Sequence, residues 1–259
     1  MSFYDFTIET IKEAGVLLMK ERKTKFLVST KNNDHKNIVT SVDINIDNFI
    51  KKKINSTYPK HGIYSEESGT EGSGTYQWTI DPIDGTSNFS RAIPHFSISL
   101  GLLKNGIPFC GAVYNPITDE LFSFKKDKGA FLNGEKIKVS DIKDIRNAHI
   151  FLHAGRGKII HNWGGESYKK LLEHAKKTSN LACSSLDACF VASGRIEANI
   201  YGTLSLHDIS PAVGILKEAG GVIRTVDNKK IDVLCKTQKI FMSNNKKIMS
   251  ELITLIAQP

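Results

Sequence analysis

No stretch of the 259-residue chain approaches the ~20 continuous apolar residues that a membrane-spanning helix needs, so no helical membrane role is expected. The run MSFYDFTIETIKEAG holds acids where a secretory signal would carry a basic segment ahead of an apolar block, so no secretory leader is expected either. Cysteine is sparse. The four residues Cys110, Cys183, Cys189 and Cys235 show no CxxC spacing and sit in no nucleophile motif. This pattern argues against a disulfide framework or a zinc site and predicts buried, reduced thiols in a cytoplasmic protein. Internal repeats, low-complexity linkers and basic tracts interleaved with aromatics are also missing. The formal charge of +8 is dispersed over short clusters such as Lys51-Lys52-Lys53, which reads as solvated surface rather than a nucleic-acid stripe. What remains, 40% apolar and 24% charged, is ordinary for a globular chain with ample material for a core.

Apolar spacing predicts a helix over 3–24, ending in the cations of KERKTK. The polar stretch STKNNDHKN reads as a loop. A second helix follows over 38–59, with Thr40 or Ser41 as its cap. GIYSEES is a strand running into a glycine-rich loop over 69–75, and WTIDPIDGTSNF (78–89) is a strand that stops at its acids. Residues 95–137 form a meander broken at Asn105-Gly106, Asn115-Pro116 and Asn133-Gly134. In the second half, AHIFLHAG reads as a strand, ESYKKLLEHAKK as a helix and SSLDACFVASGRIEANIY as a helix into a strand. DISPAVGILKEAGG reads as a helix stopped by Gly220-Gly221. The expectation is one domain over 1–259, with an α+β half over 1–140 and an α/β half over 141–259.

The acids of interest sit at element ends. Glu66 and Glu67 close one strand, Asp81 and Asp84 close another, Asp208 opens a late helix and Asp43 starts the second helix. Singly, each has an ordinary reading: Asp-Pro-x-Asp-Gly is commonly a turn, Glu-Glu a solvated edge, Asp a helix cap. Together they supply what a hard divalent cation prefers, which is oxygen. The stiff Asp-Pro-Ile-Asp turn offers two carboxylates and the Ile83 carbonyl, while Glu66 and Asp208 add a third and a fourth carboxylate. Such a pair of metals clamps the attacking and leaving oxygens of a phosphoryl displacement. Gly85 permits close backbone approach, and amides from Thr86 onward begin a helix, a ready anion site. The Thr86 hydroxyl can orient a water, and Glu66 can take its proton.

Three ordered blocks, YSEES (64–68), WTIDPIDGTSNF (78–89) and HDISPAVGILKEAGG (207–221), resemble the inositol monophosphatase family of magnesium-dependent, lithium-sensitive phosphatases. Weaker echoes are TSVDINID (40–47), FSISLGLLKNGIPFCGAVYNP (96–116), KGAFLNGEKI (128–137) and SSLDACFVASGRIEA (184–198). The resemblance implies a layered α-β-α-β-α sandwich of the inositol monophosphatase/fructose-1,6-bisphosphatase type, a homodimer, and two or three Mg²⁺ per site. It makes Glu66 a metal ligand that helps activate water, and Asp81, the Ile83 carbonyl, Asp84 and Asp208 the other ligands. Asp43 would lie near a third, mobile ion. Asp84, Gly85, Thr86, Ser184 and Asp208 would touch a small phosphate monoester.

Two positions depart from the family pattern. His207 stands where the family has tryptophan. Tyr201 stands where inositol-selective members carry a glutamate that contacts sugar hydroxyls. Both are candidate substrate residues. Tyr201 can hydrogen-bond a hydroxyl or stack on a ring, but it cannot act as a carboxylate acceptor. Inositol 1-phosphate or a related polyol or sugar phosphate is the expected substrate. The alternatives are histidinol phosphate, fructose 1,6-bisphosphate and 3′-phosphoadenosine compounds, or a second role as a partner of the transcription-antitermination machinery on RNA. Ser87 after Asp-Gly-Thr, where the bisphosphate-nucleotidase branch has lysine, argues against the nucleotide bisphosphates.

Overall fold

The computed structural model describes residues 1–31, 34–35, 37–155, 158–204, 209–231 and 238–257. Helix α1 (Phe3–Glu21) starts at a capping box in which the Ser2 and Asp5 side chains satisfy each other's backbone amides. After the short strands β1 (Val28–Thr30) and β2 (Ile38–Thr40), α2 (Ser41–Thr57) opens on the same device built from Thr40 and Asp43. Thr40 is therefore the cap, and residues 38–40 are strand rather than helix. Phe6, Ile11, Ala14 and Leu18 of α1 and Val42, Ile46, Ile50 and Ile54 of α2 turn inward together as one buried face.

That face lies on a sheet of eight strands: β3 (Gly62–Ser65), β4 (Gly69–Glu71), β5 (Tyr76–Asp84), β6 (Ser97–Lys104), β7 (Ile107–Asn115), β8 (Glu120–Lys125), β9 (Gly129–Leu132) and β10 (Glu135–Ile137). The short helix α3 (Thr86–Ser90) follows β5. Spatial order runs β10-β9-β8-β7-β6-β5-β3-β4, and only β3 and β5 are parallel. Asn105-Gly106 and Asn133-Gly134 take positive φ at both residues, as tight hairpin turns require. Residues 69–71, expected as loop, pair with β3 as an edge strand instead.

The carboxyl half contributes β11 (His149–His153), α4 (Lys158–His174), β12 (Lys177–Ser179), α5 (Ser184–Ala192), β13 (Ala198–Leu204), α6 (Ser210–Glu218), β14 (Val222–Thr225), β15 (Gln238–Ser243) and α7 (Lys246–Ala257). Its sheet runs β12-β11-β13-β15-β14. Helices α5 and α6 fill the space between the two sheets. Leu186, Val213 and Leu216 meet Val113, Phe122 and Phe124 of the large sheet and Phe151, Ile240 and Met242 of the small one. The far side of the small sheet is covered by α4 and α7 through Leu171, Ile248 and Leu252. The layers are thus α1/α2, large sheet, α5/α6, small sheet, α4/α7, the expected α-β-α-β-α sandwich.

Helix α6 presses hard on the large sheet. Gly101 and Gly111 face each other across β6 and β7, and a methyl on either would meet the Pro211 ring at 2.8 and 3.0 Å. A buried hydrogen bond of 2.7 Å between the Thr79 and Ser210 hydroxyls ties the start of α6 to β5. Among the described residues no helix is long and apolar enough to cross a membrane.

Candidate active site

Register brings the acids together. Parallel pairing of Ser65 with Ile80 ends β3 beside the last turn of β5, and the Glu66 amide donates to the Ile80 carbonyl at 3.1 Å. Glu66 therefore emerges next to Asp81. Between Asp81 and Asp84, β5 advances three residues while its partner β6 advances two, from Ser99 to Ser97. The extra residue is a β-bulge at Pro82-Ile83. Proline is tolerated in a bulge because it has no amide to give the ladder, and a bulge re-aims the side chains after it. Gly85 then takes φ 83°, and a methyl there would meet the His95 carbonyl at 3.1 Å. Only glycine suits that turn.

Glu66, Asp81, Ile83, Asp84, Gly85 and Thr86 line one side of a cleft of about 490 Å³. The second half of the chain supplies more of the lining, through Ser184, Tyr201 and neighbours including His153 and Thr203. Of the candidate site residues, Asp43 does not line it. Asp43 is fully buried, its Oδ2 accepting from the Thr40 amide at 2.8 Å and from the Thr40 hydroxyl. Its Oδ1 lies 3.3 Å from the Thr86 hydroxyl, which also reaches the Ile83 carbonyl at 2.9 Å. Burial pushes the Asp43 carboxyl up to about 6, against the pull of the Thr40 hydrogen bonds. His207 and Asp208 lie outside the described residues, as does Cys235. The other three cysteines are buried free thiols, as expected.

Asp84 both lines the cleft and caps a helix of the other half. Helix α5 has no side-chain cap of its own, since Cys183 occupies the cap position. The Asp84 carboxylate supplies one from another strand. Oδ1 accepts from the Ser184 amide at 3.2 Å, Oδ2 from the Ser185 amide at 2.5 Å, and the Ser184 hydroxyl reaches both oxygens. Burial raises its proton affinity, and the Ser185 amide opposes that. Ser184 thus lines the cleft with both its polar groups turned to Asp84.

Several participants are not singled out by sequence reading. Lys31 places its ammonium 3.0 Å from Glu66 and 2.7 Å from Glu67. Burial of Glu67 pushes its carboxyl up to about 7 even so. Asp47, buried in α2, accepts from the Ser65 hydroxyl at 2.5 Å and the Ser68 hydroxyl at 2.8 Å, bracketing Glu66 and Glu67. In the carboxyl half, the Tyr201 hydroxyl donates to Asp187 at 2.8 Å, and the other oxygen of Asp187 lies 3.0 Å from His95 Nε2. Burial and the adjacent Asp187 charge push the Tyr201 phenol well up, so it stays protonated with its single proton donated to Asp187. Asp47 is the one that spacing hints at, four residues after Asp43 on the same helical face.

Three carboxylates and a main-chain carbonyl fit a hard divalent cation in kind. The Lys31 ammonium already attracted to Glu66 shows that positive charge is favoured there. Among the described residues no three His, Cys, Asp or Glu side chains gather around one point tightly enough to hold an ion by themselves.

The profile of the inositol monophosphatase family matches residues 1–258. A fructose-1,6-bisphosphatase/inositol-1-monophosphatase of Thermotoga maritima is 30% identical, over 99% of this chain and 96% of its own length. A Nus factor SuhB of Xylella fastidiosa is 29% identical over 83% of this chain and 79% of its own. The solved structure of a Thermotoga maritima IMPase superposes with a TM-score of 0.91 at 29% identity, covering 100% of this chain and 98% of that one. With the layered sandwich and the acid-lined cleft at the end of β5, these likenesses give one conclusion: the chain belongs to the inositol monophosphatase family of phosphoric monoester hydrolases.

Proposed function

We propose that this protein hydrolyses a small phosphate monoester by attack of water on phosphorus, with Mg²⁺ bound two or three ions to a site. The observation that carries the reading is the meeting of Glu66, Asp81, Asp84 and Ile83 on one cleft wall directly before the Gly85-Thr86 turn. Glu66, Asp81, Asp84 and the Ile83 carbonyl would hold the metal, with Asp208 as the further ligand that HDISPAVGILKEAGG implies and Asp43 beside the third ion. When bound, magnesium supplies positive charge against the phosphoryl oxygens and makes water a better nucleophile at neutral pH.

The remaining work falls to side chains and amides. Glu66, on the cleft edge, receives the proton of the attacking water. The Thr86 hydroxyl spends its single proton on the Ile83 carbonyl or Asp43, which leaves its lone pairs to accept from that water and fix its approach. Backbone amides at Gly85-Thr86 receive the phosphate. Ser184 and Ser185 hold Asp84 in one orientation.

The test is phosphate release with Mg²⁺ from inositol 1-phosphate, sugar phosphates, histidinol phosphate, fructose 1,6-bisphosphate and a nucleotide 3′-phosphate. Asp81→Asn should lower the rate on the order of 10³-fold, and wild type no faster than that variant on every ester would end the reading. A homodimer in the cytoplasm is part of the proposal, and light scattering reads the oligomer directly. A second role follows from the likeness to Nus factor SuhB. The net charge of +8 is compatible with an RNA-containing partner, and salt-sensitive RNA binding would support it.

A further inference from the structure

The wall that the carboxyl half gives the cleft has an aromatic character that the phosphate chemistry does not use. Tyr201, on β13, and His153, at the end of β11, are direct neighbours in the parallel register. Their rings stack, centroids 5.4 Å apart at 28°, and both line the cleft. Tyr201 is 4% exposed and its hydroxyl is committed to Asp187, which His95 holds from the other side. The His153 ring is fixed as well, since its Nδ1 accepts from the Gly155 amide at 3.2 Å. Ala182 and Leu204 extend the same wall with apolar surface. Among the described residues, no carboxylate and no cation from the carboxyl half lines it; Thr203 adds a hydroxyl.

Against Tyr201, His153, Ala182 and Leu204, a polyol would give up water around several hydroxyls and meet few partners for them, which is unfavourable. A planar ring carries no such penalty and gains from contact with a rigid aromatic pair. On the reading that this cleft hydrolyses phosphate monoesters, we infer that the Tyr201–His153 pair is its specificity element and that the preferred substrates are monoesters whose alcohol carries a planar aromatic or heteroaromatic group. Tyr201 is then a specificity residue, and Asp187 and His95 are positioning residues that act through it.

The test uses esters of matched leaving-group chemistry. The wild-type protein with Mg²⁺ is assayed on 2-phenylethyl phosphate, 2-cyclohexylethyl phosphate and inositol 1-phosphate. The expected result is a kcat/KM about tenfold higher for the phenyl ester than for either other, expressed mainly in KM. Tyr201→Leu and His153→Ala should each erase that ordering, while Tyr201→Phe, which keeps the ring, preserves it. An inositol ester turned over as well as the phenyl ester would overturn the inference. So would a cyclohexyl ester equal to the phenyl ester, or an ordering unmoved in Tyr201→Leu, each while leaving phosphatase activity standing. Calorimetric binding of 2-phenylethylphosphonate against 2-cyclohexylethylphosphonate reads the same preference without turnover. Aromatic preference there, with no ester hydrolysed faster than by Asp81→Asn, would sink the hydrolase reading and spare the wall; equal binding would sink the wall.

Discussion

Asp43 shows how a residue's neighbours, rather than its type, set its behaviour. It completes the capping box of α2 through one oxygen and faces the Thr86 hydroxyl through the other, out of contact with water. Burial raises its carboxyl to about 6, from an ordinary value near 4 in the unfolded chain. The folded state then holds a proton that the unfolded state releases. Its contribution to stability is full below about pH 4 and is lost as pH rises through 6. In metal-free protein, the unfolding free energy of Asp43→Asn from urea titrations should therefore improve relative to wild type between pH 4 and 7, by up to about 3 kcal/mol. A difference independent of pH would refute the assignment. At Thr86, removal of the hydroxyl in Thr86→Val should slow phosphate release about 10²-fold, whereas Thr86→Ser should retain most of the rate. Sequence reading reached Glu66, Asp81, Asp84 and Thr86 because acids at strand ends and a glycine turn are local patterns. It missed Lys31, His153 and Asp187, whose partners lie 35 residues away for Lys31–Glu66, 48 for His153–Tyr201 and 14 for Asp187–Tyr201, where no local spacing reports them.

Elements show the same division between local and distant causes. Helices α1 and α2 were readable from apolar spacing and, for α2, from Thr40 as a cap. Local pattern marks a helix only over ESYKKLLEHAKK, from Glu166; the helix in fact runs from Lys158 through Gly164-Gly165. The reason for at least one glycine is packing. A methyl on Gly164 would meet the Ala154 methyl at 2.2 Å, while one on Gly165 would meet nothing within 4 Å. The pair gives a signed prediction. Gly165→Ala should stabilise by up to about 1 kcal/mol through helix propensity. Gly164→Ala gains the same propensity but overpacks by about 1–3 kcal/mol, so its net effect should be destabilising. Denaturant midpoints check both. Residues 177–179 likewise become strand β12 because β11 offers them a parallel edge, a reason invisible in the local composition of LLEHAKK at the helix end. Helix α5, with no local cap, is completed by Asp84 about a hundred residues earlier, so a site acid also holds a layer of the fold.

At the scale of the whole molecule, the cleft lies where the ends of two sheets meet across α5. The ends of β3 and β5 in the large sheet bring the acids, and β11 and β13 of the small sheet bring the aromatic wall. Pattern alone indicated an α+β half followed by an α/β half; the five-layer stacking came from family resemblance, because which helix covers which sheet depends on contacts between the halves. The same division separates chemistry from choice of substrate, since the acids stand on one sheet and Tyr201 on the other. The most direct test of the central claim is phosphate release by wild type before and after metal is stripped with a chelator, with Mg²⁺ restored and Asp81→Asn alongside. Hydrolysis that vanishes with the metal, returns with Mg²⁺ and falls on the order of 10³-fold in Asp81→Asn is the predicted result. Release unchanged by stripping, or equal in the Asp81→Asn protein, would contradict it.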